Sequence, residues 1–123
     1  CGDVSMTDFL SFWFVLCLGH FVADYPLQSD FIARGKNRFR PVDPSTIPPG
    51  QTPMTVWPWV LTAHAGTHAA AVFLITGSAL LAILELISHW LIDYGKCANR
   101  YGIHADQFAH IACKAVWALA VVL

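Results

Sequence analysis

Apolar runs of about twenty residues, separated by short polar stretches, recur along this chain, and a helix of about that length is what a bilayer core requires. Four segments meet the requirement, at about 7–25, 57–77, 78–96 and 103–123. The first opens at Thr7 or Asp8, either of which suits an N-cap. It stops before Pro26, which removes a backbone donor and disfavours helix at Tyr25. A short interfacial helix is predicted in LQSDFIARGKNRFR, where apolar and basic residues mix. It leads into a loop over 35–56 whose centre, PVDPSTIPPGQTP, holds five prolines and one glycine, so no regular element is predicted there. Gly77 and Ser78 turn the second span tightly into the third. The predicted fold is all-α, a single transmembrane domain over 1–123. It is an integral membrane four-helix bundle with a Pro-rich cytoplasmic loop after the first helix.

Composition supports this reading. Hydrophobic residues make up 56% and charged residues 12%, where a soluble domain carries roughly a quarter charged. Seven Lys+Arg against eight Asp+Glu leave a net charge of -1, which offers no basic face for nucleic acid. The basic residues are placed unevenly, with Arg34, Lys36, Arg38 and Arg40 after the first span and Lys96 and Arg100 between the third and fourth. Cytoplasmic loops are the ones enriched in Lys and Arg, so the N- and C-termini are predicted outside an inner (plasma) membrane. Tyr25, Trp57, Trp59, Trp90, Tyr94 and Tyr101 gather near the cytoplasmic ends, as an aromatic belt does. The lipid bilayer is then the first partner; an oligomer or larger membrane assembly is open, with no GxxxG face to locate the contact. Cys1, Cys17, Cys97 and Cys113 show neither a CxxC pair nor disulfide-framework spacing. Cys1 reads as a lipidated first residue or, preferably, as part of a remnant ahead of a start at Met6.

The polar residues inside the spans change the picture most. His20/Asp24, His64/His68, His89/Asp93 and Asp106/His110 are spaced four apart, one pair per span, so each pair shares a helix face. Six His and eight acids in 123 residues give about one His-containing pair of that spacing by chance; with Glu85/His89 the chain has five. The pairs lie within about seven residues of the cytoplasmic span ends, His68 one turn deeper. Five imidazoles and three carboxylates can thus converge in the cytoplasmic half of the bundle. Ionisable groups in lipid cost a few kcal/mol or more each unless they pair or line water. A metal resolves that cost: imidazole and carboxylate suit Zn first, with Mn or Fe also fitting, and four-helix bundles build dinuclear sites from such donors. Three Asp against two divalent ions leave +1, which a bridging hydroxide, the nucleophile of a metal-assisted hydrolysis, would cancel. Glu85 and Lys114, at matching depth, are expected as a buried ion pair beneath the cluster. Gln28 and Gln107 are placed to hydrogen-bond the ligands and orient them, and His104 to lie at the interface. Neither HExxH nor the ferritin-like Glu-x-x-His spacing is present.

HFVADYPLQSD (20–30), HAGTH (64–68), SHWLIDYGK (88–96) and ADQFAH (105–110) together resemble an uncharacterised family of small bacterial and phage inner-membrane proteins. The style of these motifs is distantly similar to that of the membrane-bound metal-dependent hydrolases, which implies by analogy a hydrolytic site built on them. The expectation is a membrane metalloprotein, probed first as a hydrolase of a lipid-like substrate. The rival expectations are a metal-ion or proton transporter or channel component, and a structural or assembly subunit whose His-Asp pairs only hold helices together.

Overall fold

A computed structural model of the chain describes residues 5–40, 43–52 and 54–123; Cys1, Pro41 and Pro53 lie outside the described residues. The described residues are helical with no strand: α1 (Met6–Asp24), α2 (Asp30–Gly35), a 3-10 turn at Pro44–Thr46, α3 (Trp57–Thr76), α4 (Ala79–Cys97) and α5 (Ile103–Val122). The long-helix limits fall within one or two residues of those predicted.

Local chemistry explains the boundaries. Ser5, rather than Thr7 or Asp8, caps α1, its hydroxyl accepting from the Thr7 N–H at 3.2 Å. Pro26 then bars continuation beyond Tyr25. In α2 the Ser29 hydroxyl accepts from the Ile32 N–H at 3.3 Å, with Asp30 in the first turn and Arg34 in the last, as the helix dipole favours. The Pro-rich loop does hold one regular element. Pro44 sets the backbone angle of the 3-10 turn, and the Asp43 carboxylate accepts from Ser45 N–H at 2.9 Å. Gly77 ends α3 in the left-handed region (φ 70), its N–H donating to Phe73 O at 2.7 Å, and Ser78 caps α4 through the Leu81 N–H. That is the predicted hairpin.

The four long helices form a ring: α3 packs on α4 and α1, while α5 packs on α1 and α4. Chain neighbours run antiparallel around it. One end of the interior is apolar, with Leu16, Val72, Leu81 and Ala118 buried among Phe9, Phe12, Trp13, Ile75 and Trp117. At the other end the buried side chains include His20, His64, His68, His89, Asp93, Asp106 and His110, with Glu85 and Lys114 between the two regions. Meanwhile Phe14, Leu18, Leu74, Leu80, Ile83, Leu91 and Val116 are exposed on the outside. Polar inside and apolar outside inverts the soluble pattern.

Three helices, α1, α3 and α5, are long and apolar enough to cross a membrane. The sequence pattern had suggested four. The segment that differs is α4, long enough at 19 residues but carrying Glu85, Asp93 and Lys96, which places it outside the composition of an uninterrupted apolar helix.

Candidate metal centre

Each ring helix contributes its inward stripe to the polar end. On α3 the buried positions are Val60, Leu61, His64, Ala65, His68, Ala69 and Val72, one face at three- and four-residue steps. His64 and His68 occupy two of these steps, with small alanines beside them that let neighbouring helices approach. On α4 the same stripe carries Leu81, Glu85, His89 and Asp93, and on α5 Asp106, His110, Lys114 and Ala118. α1 contributes His20 and, at its last turn, Asp24.

All eight residues singled out as ligands meet there. His68 and His89 stack at 3.7 Å between ring centroids, His89 and His110 at 4.1 Å, and His20 lies 4.9 Å from His110. Their donor atoms fall into three groups, each within 4.8 Å: Asp24 with His64, His68 and His89; His20 with His89 and His110; and Asp93 with Asp106 and His110. The first and third groups share no residue and can be filled together, whereas the middle one competes with both for His89 or His110. Asp93 also leans toward the first group, with Oδ2 3.4 Å from His64 Nε2 while Oδ1 lies 3.3 Å from His110 Nε2.

Some pairs in this cluster are hydrogen-bonded, His110 Nε2 with Asp93 Oδ1 at 3.3 Å among them, and some close approaches are not. His64 Nε2 lies 3.3 Å and His68 Nε2 3.2 Å from Asp24 Oδ1. Yet His64, His68 and His89 Nε2 all lack a hydrogen-bond partner, as does the buried Asp106 Oδ1. Around an ion with bonds of about 2.0–2.1 Å, the edges of a tetrahedron are about 3.3–3.4 Å. Buried unsatisfied polar atoms call for an explanation, and Asp24, His64, His68 and His89 could meet it by holding an ion together.

A consistent proton assignment runs through the surrounding groups. Glu85 Oε1 accepts from His89 Nδ1–H at 3.3 Å, which leaves His89 Nε2 with a lone pair. His68 Nδ1–H donates to His20 Nδ1 at 3.3 Å, leaving His68 Nε2 free in the same sense. His20 Nε2–H then donates to Gln107 Oε1 at 3.2 Å, and Gln107 Nε2 donates to Asp24 Oδ2 at 2.9 Å. In this assignment His20 orients His68 instead of offering a lone pair of its own.

The other expected residues are also located. Lys114 Nζ donates to Glu85 Oε1 at 2.5 Å, and Trp117 Nε1 donates to Oε2 at 2.7 Å. Gln28 donates to the Asp24 backbone carbonyl at 3.2 Å, touching the carboxylate's own residue but not a ligand atom. His104 is exposed.

Two residues of the cluster enter the sequence reading only as basic residues of the connections that set orientation. Lys36, the C-cap of α2, is 6% exposed and donates to Asp93 Oδ2 at 2.5 Å. Lys96 Nζ sits 3.3 Å from Asp106 Oδ2. Lys36 gets there because α2 docks on α3 closely enough that a Cβ on Gly35 would meet Val60 at 3.3 Å. Arg38 then pins the following segment, donating to the Tyr94 hydroxyl at 2.8 Å with its guanidinium 5.6 Å from the Trp57 ring. Within an Arg/Lys run, no local signal marks Lys36 as the residue that turns inward.

The fold and site define a helical bundle with an apolar exterior and a buried imidazole-carboxylate cluster. Residues 12–123 match the family described as "Protein of unknown function (DUF3307)", and the chain belongs to that family. The matched span contains all eight candidate ligands together with Lys36, Glu85, Lys96 and Lys114. No curated protein and no solved structure matches the chain.

Proposed function

We propose that this chain is a four-span membrane protein that holds divalent metal, zinc first with manganese or iron as alternatives, in a dinuclear His/Asp centre near the cytoplasmic face. Its activity on this reading is hydrolysis of an amphiphilic, lipid-like substrate entering from the inner leaflet. The carrying observation is the gathering of Asp24, His64, His68 and His89, whose donor atoms lie within 4.8 Å of one another, with His64 and His68 Nε2 at tetrahedral-edge distance from Asp24 Oδ1 and no hydrogen-bond partner at His64, His68 or His89 Nε2.

Asp24, His64, His68 and His89 would hold one ion with four protein donors. Asp93, Asp106 and His110 would hold the second with three, the number that leaves a position for substrate. A divalent ion there supplies Lewis acidity and a water of lowered pKa. Asp93 lies between the two groups, Oδ2 3.4 Å from His64 Nε2 and Oδ1 3.3 Å from His110 Nε2.

The fourth span is supported by the orientation of α4. Its Glu85, His89 and Asp93 face the ring interior while Leu80, Ile83, Ile87 and Leu91 face outward. Orientation still follows the basic residues: with Lys36 buried on Asp93 and Lys96 half-buried beside Asp106, Arg34, Arg38, Arg40 and Arg100 remain at the cluster end. Transport of an ion along the bundle is disfavoured by the far end of the interior, where Leu16, Val72, Leu81 and Ala118 replace the polar string.

Elemental analysis by inductively coupled plasma mass spectrometry of detergent-purified protein tests the reading. Two ions per chain are expected, with loss in His64→Ala and Asp93→Ala variants. Folded protein that stays metal-free after incubation with zinc, manganese and iron in turn would sink it.

A further inference from the structure

The two donor groups differ in their electrostatic surroundings. Beside Asp24 the neighbouring donor is a neutral amide, Gln107 Nε2 at 2.9 Å. Beside the three-donor group stand two ammonium groups, Lys36 on Asp93 and Lys96 on Asp106. Asp106 Oδ1, fully buried, has no hydrogen-bond partner and faces that same group. Lys96 is only partly buried, its side chain 32% exposed, so this corner of the cluster reaches the bundle surface.

Charge decides what such a corner receives. Glu85 and Lys114 cancel. Three Asp and two Lys sum to -1 with neutral imidazoles. One divalent ion makes the cluster +1 and two make it +3. An excess of positive charge held away from water is costly, and a neutral ester or amide substrate would leave it uncompensated. A phosphate monoester carries nearly two negative charges and three acceptor oxygens, enough to reach both ammonium groups and the open coordination position at once. A carboxylate offers half the charge and one oxygen fewer.

We infer that the corner formed by Asp93, Asp106, His110, Lys36 and Lys96 is a binding site for a phosphomonoester group. This rests on the metal reading above and specifies its substrate class. The group is either free in the cytoplasm or the headgroup of a lipid, and the recognising atoms are the same in both cases.

The test is calorimetric titration of the zinc-loaded, detergent-purified full chain with inorganic phosphate. A parallel titration uses mixed micelles containing phosphatidic acid, with phosphatidylcholine micelles as the control. Metal content is measured on every sample. Binding of phosphate or phosphatidic acid but not phosphatidylcholine is expected, weakened about tenfold or more in Lys36→Gln and Lys96→Gln and retained in Lys96→Arg. Tighter binding of phosphatidic acid than of phosphate assigns the lipid source, and equal binding the soluble one. Each supports the site. If Lys36→Gln does not fold, the more exposed Lys96→Gln carries the comparison alone. Metal-loaded wild type that binds neither probe, or Gln variants that keep both metal and wild-type affinity, would overturn the inference and leave the metal centre standing. Wild type that takes up no metal overturns the metal reading itself, and metal content identifies that case.

Discussion

Glu85 serves two neighbours with different needs: Lys114 and His89 both meet Oε1, and Trp117 donates to Oε2. Two separate consequences follow from its contacts. Toward Lys114 it is half of a buried ion pair, and removing one partner of such a pair leaves an uncompensated charge. Lys114→Met should therefore lower stability by about 3–5 kcal/mol, while the double variant Glu85→Gln/Lys114→Met should recover most of it. Toward His89 it fixes a tautomer and a ring orientation. The recovered double variant should still bind metal about 10–100-fold more weakly, because an amide holds the imidazole less firmly than a carboxylate. Thermal unfolding in detergent and competition with a chelating dye read the two effects separately. A double variant as unstable as the single one would show that Lys114 acts through packing instead of charge compensation.

At the scale of elements, the connection from α4 to α5 is tied back onto α4 through Tyr101. The Tyr101 hydroxyl donates to the Ile92 carbonyl, and burial pushes its phenol above the ordinary value, keeping the donor protonated. The ring lies against Gly95, where an added Cβ would come within 2.9 Å of ring carbons. Gly95→Ala must displace Tyr101 and should cost about 1–3 kcal/mol. Gly66, within α3, has nothing within 4 Å of the same added atom, so Gly66→Ala should leave stability unchanged or raise it by up to about 1 kcal/mol. Melting temperatures of the two variants in one detergent check the contrast. Equal losses at both sites would remove the Tyr101 contact as the reason.

For the whole molecule, the exposed apolar surface and the buried ionisable set belong together. In lipid the hydrophobic effect does not press helices against each other, and packing and polar contacts must hold the bundle. The cluster, with its five imidazoles crossing all four long helices, is the largest such set of contacts among the described residues. The four-span reading sets the two ends of the bundle on opposite sides of the membrane. In a background with the native cysteines replaced, Ser78→Cys should react with a membrane-impermeant maleimide on intact cells and Asn99→Cys only after lysis. Labelling of both positions from the same side would exclude that topology.

Helix limits, the hairpin at Gly77 and the inward stripes were legible in the chain because each depends on neighbours within one or two turns: a cap, a proline, a left-handed glycine, a four-residue repeat. The same local spacing marked His20, Asp24, His64, His68, His89, Asp93, Asp106 and His110 as one set. It could not divide them, since which donors share a point depends on how four helices are arranged around the ring. Tertiary structure alone brought His89 to Asp24, set Asp93 between two groups and placed His20 behind His68. It alone made Lys36 and Lys96, basic residues of the connections in the sequence, partners of Asp93 and Asp106. The reason is physical: a lysine's four-carbon stem reaches a carboxylate more than fifty residues away in sequence only when another element, here α2 docked on α3, carries its backbone to the mouth of the bundle.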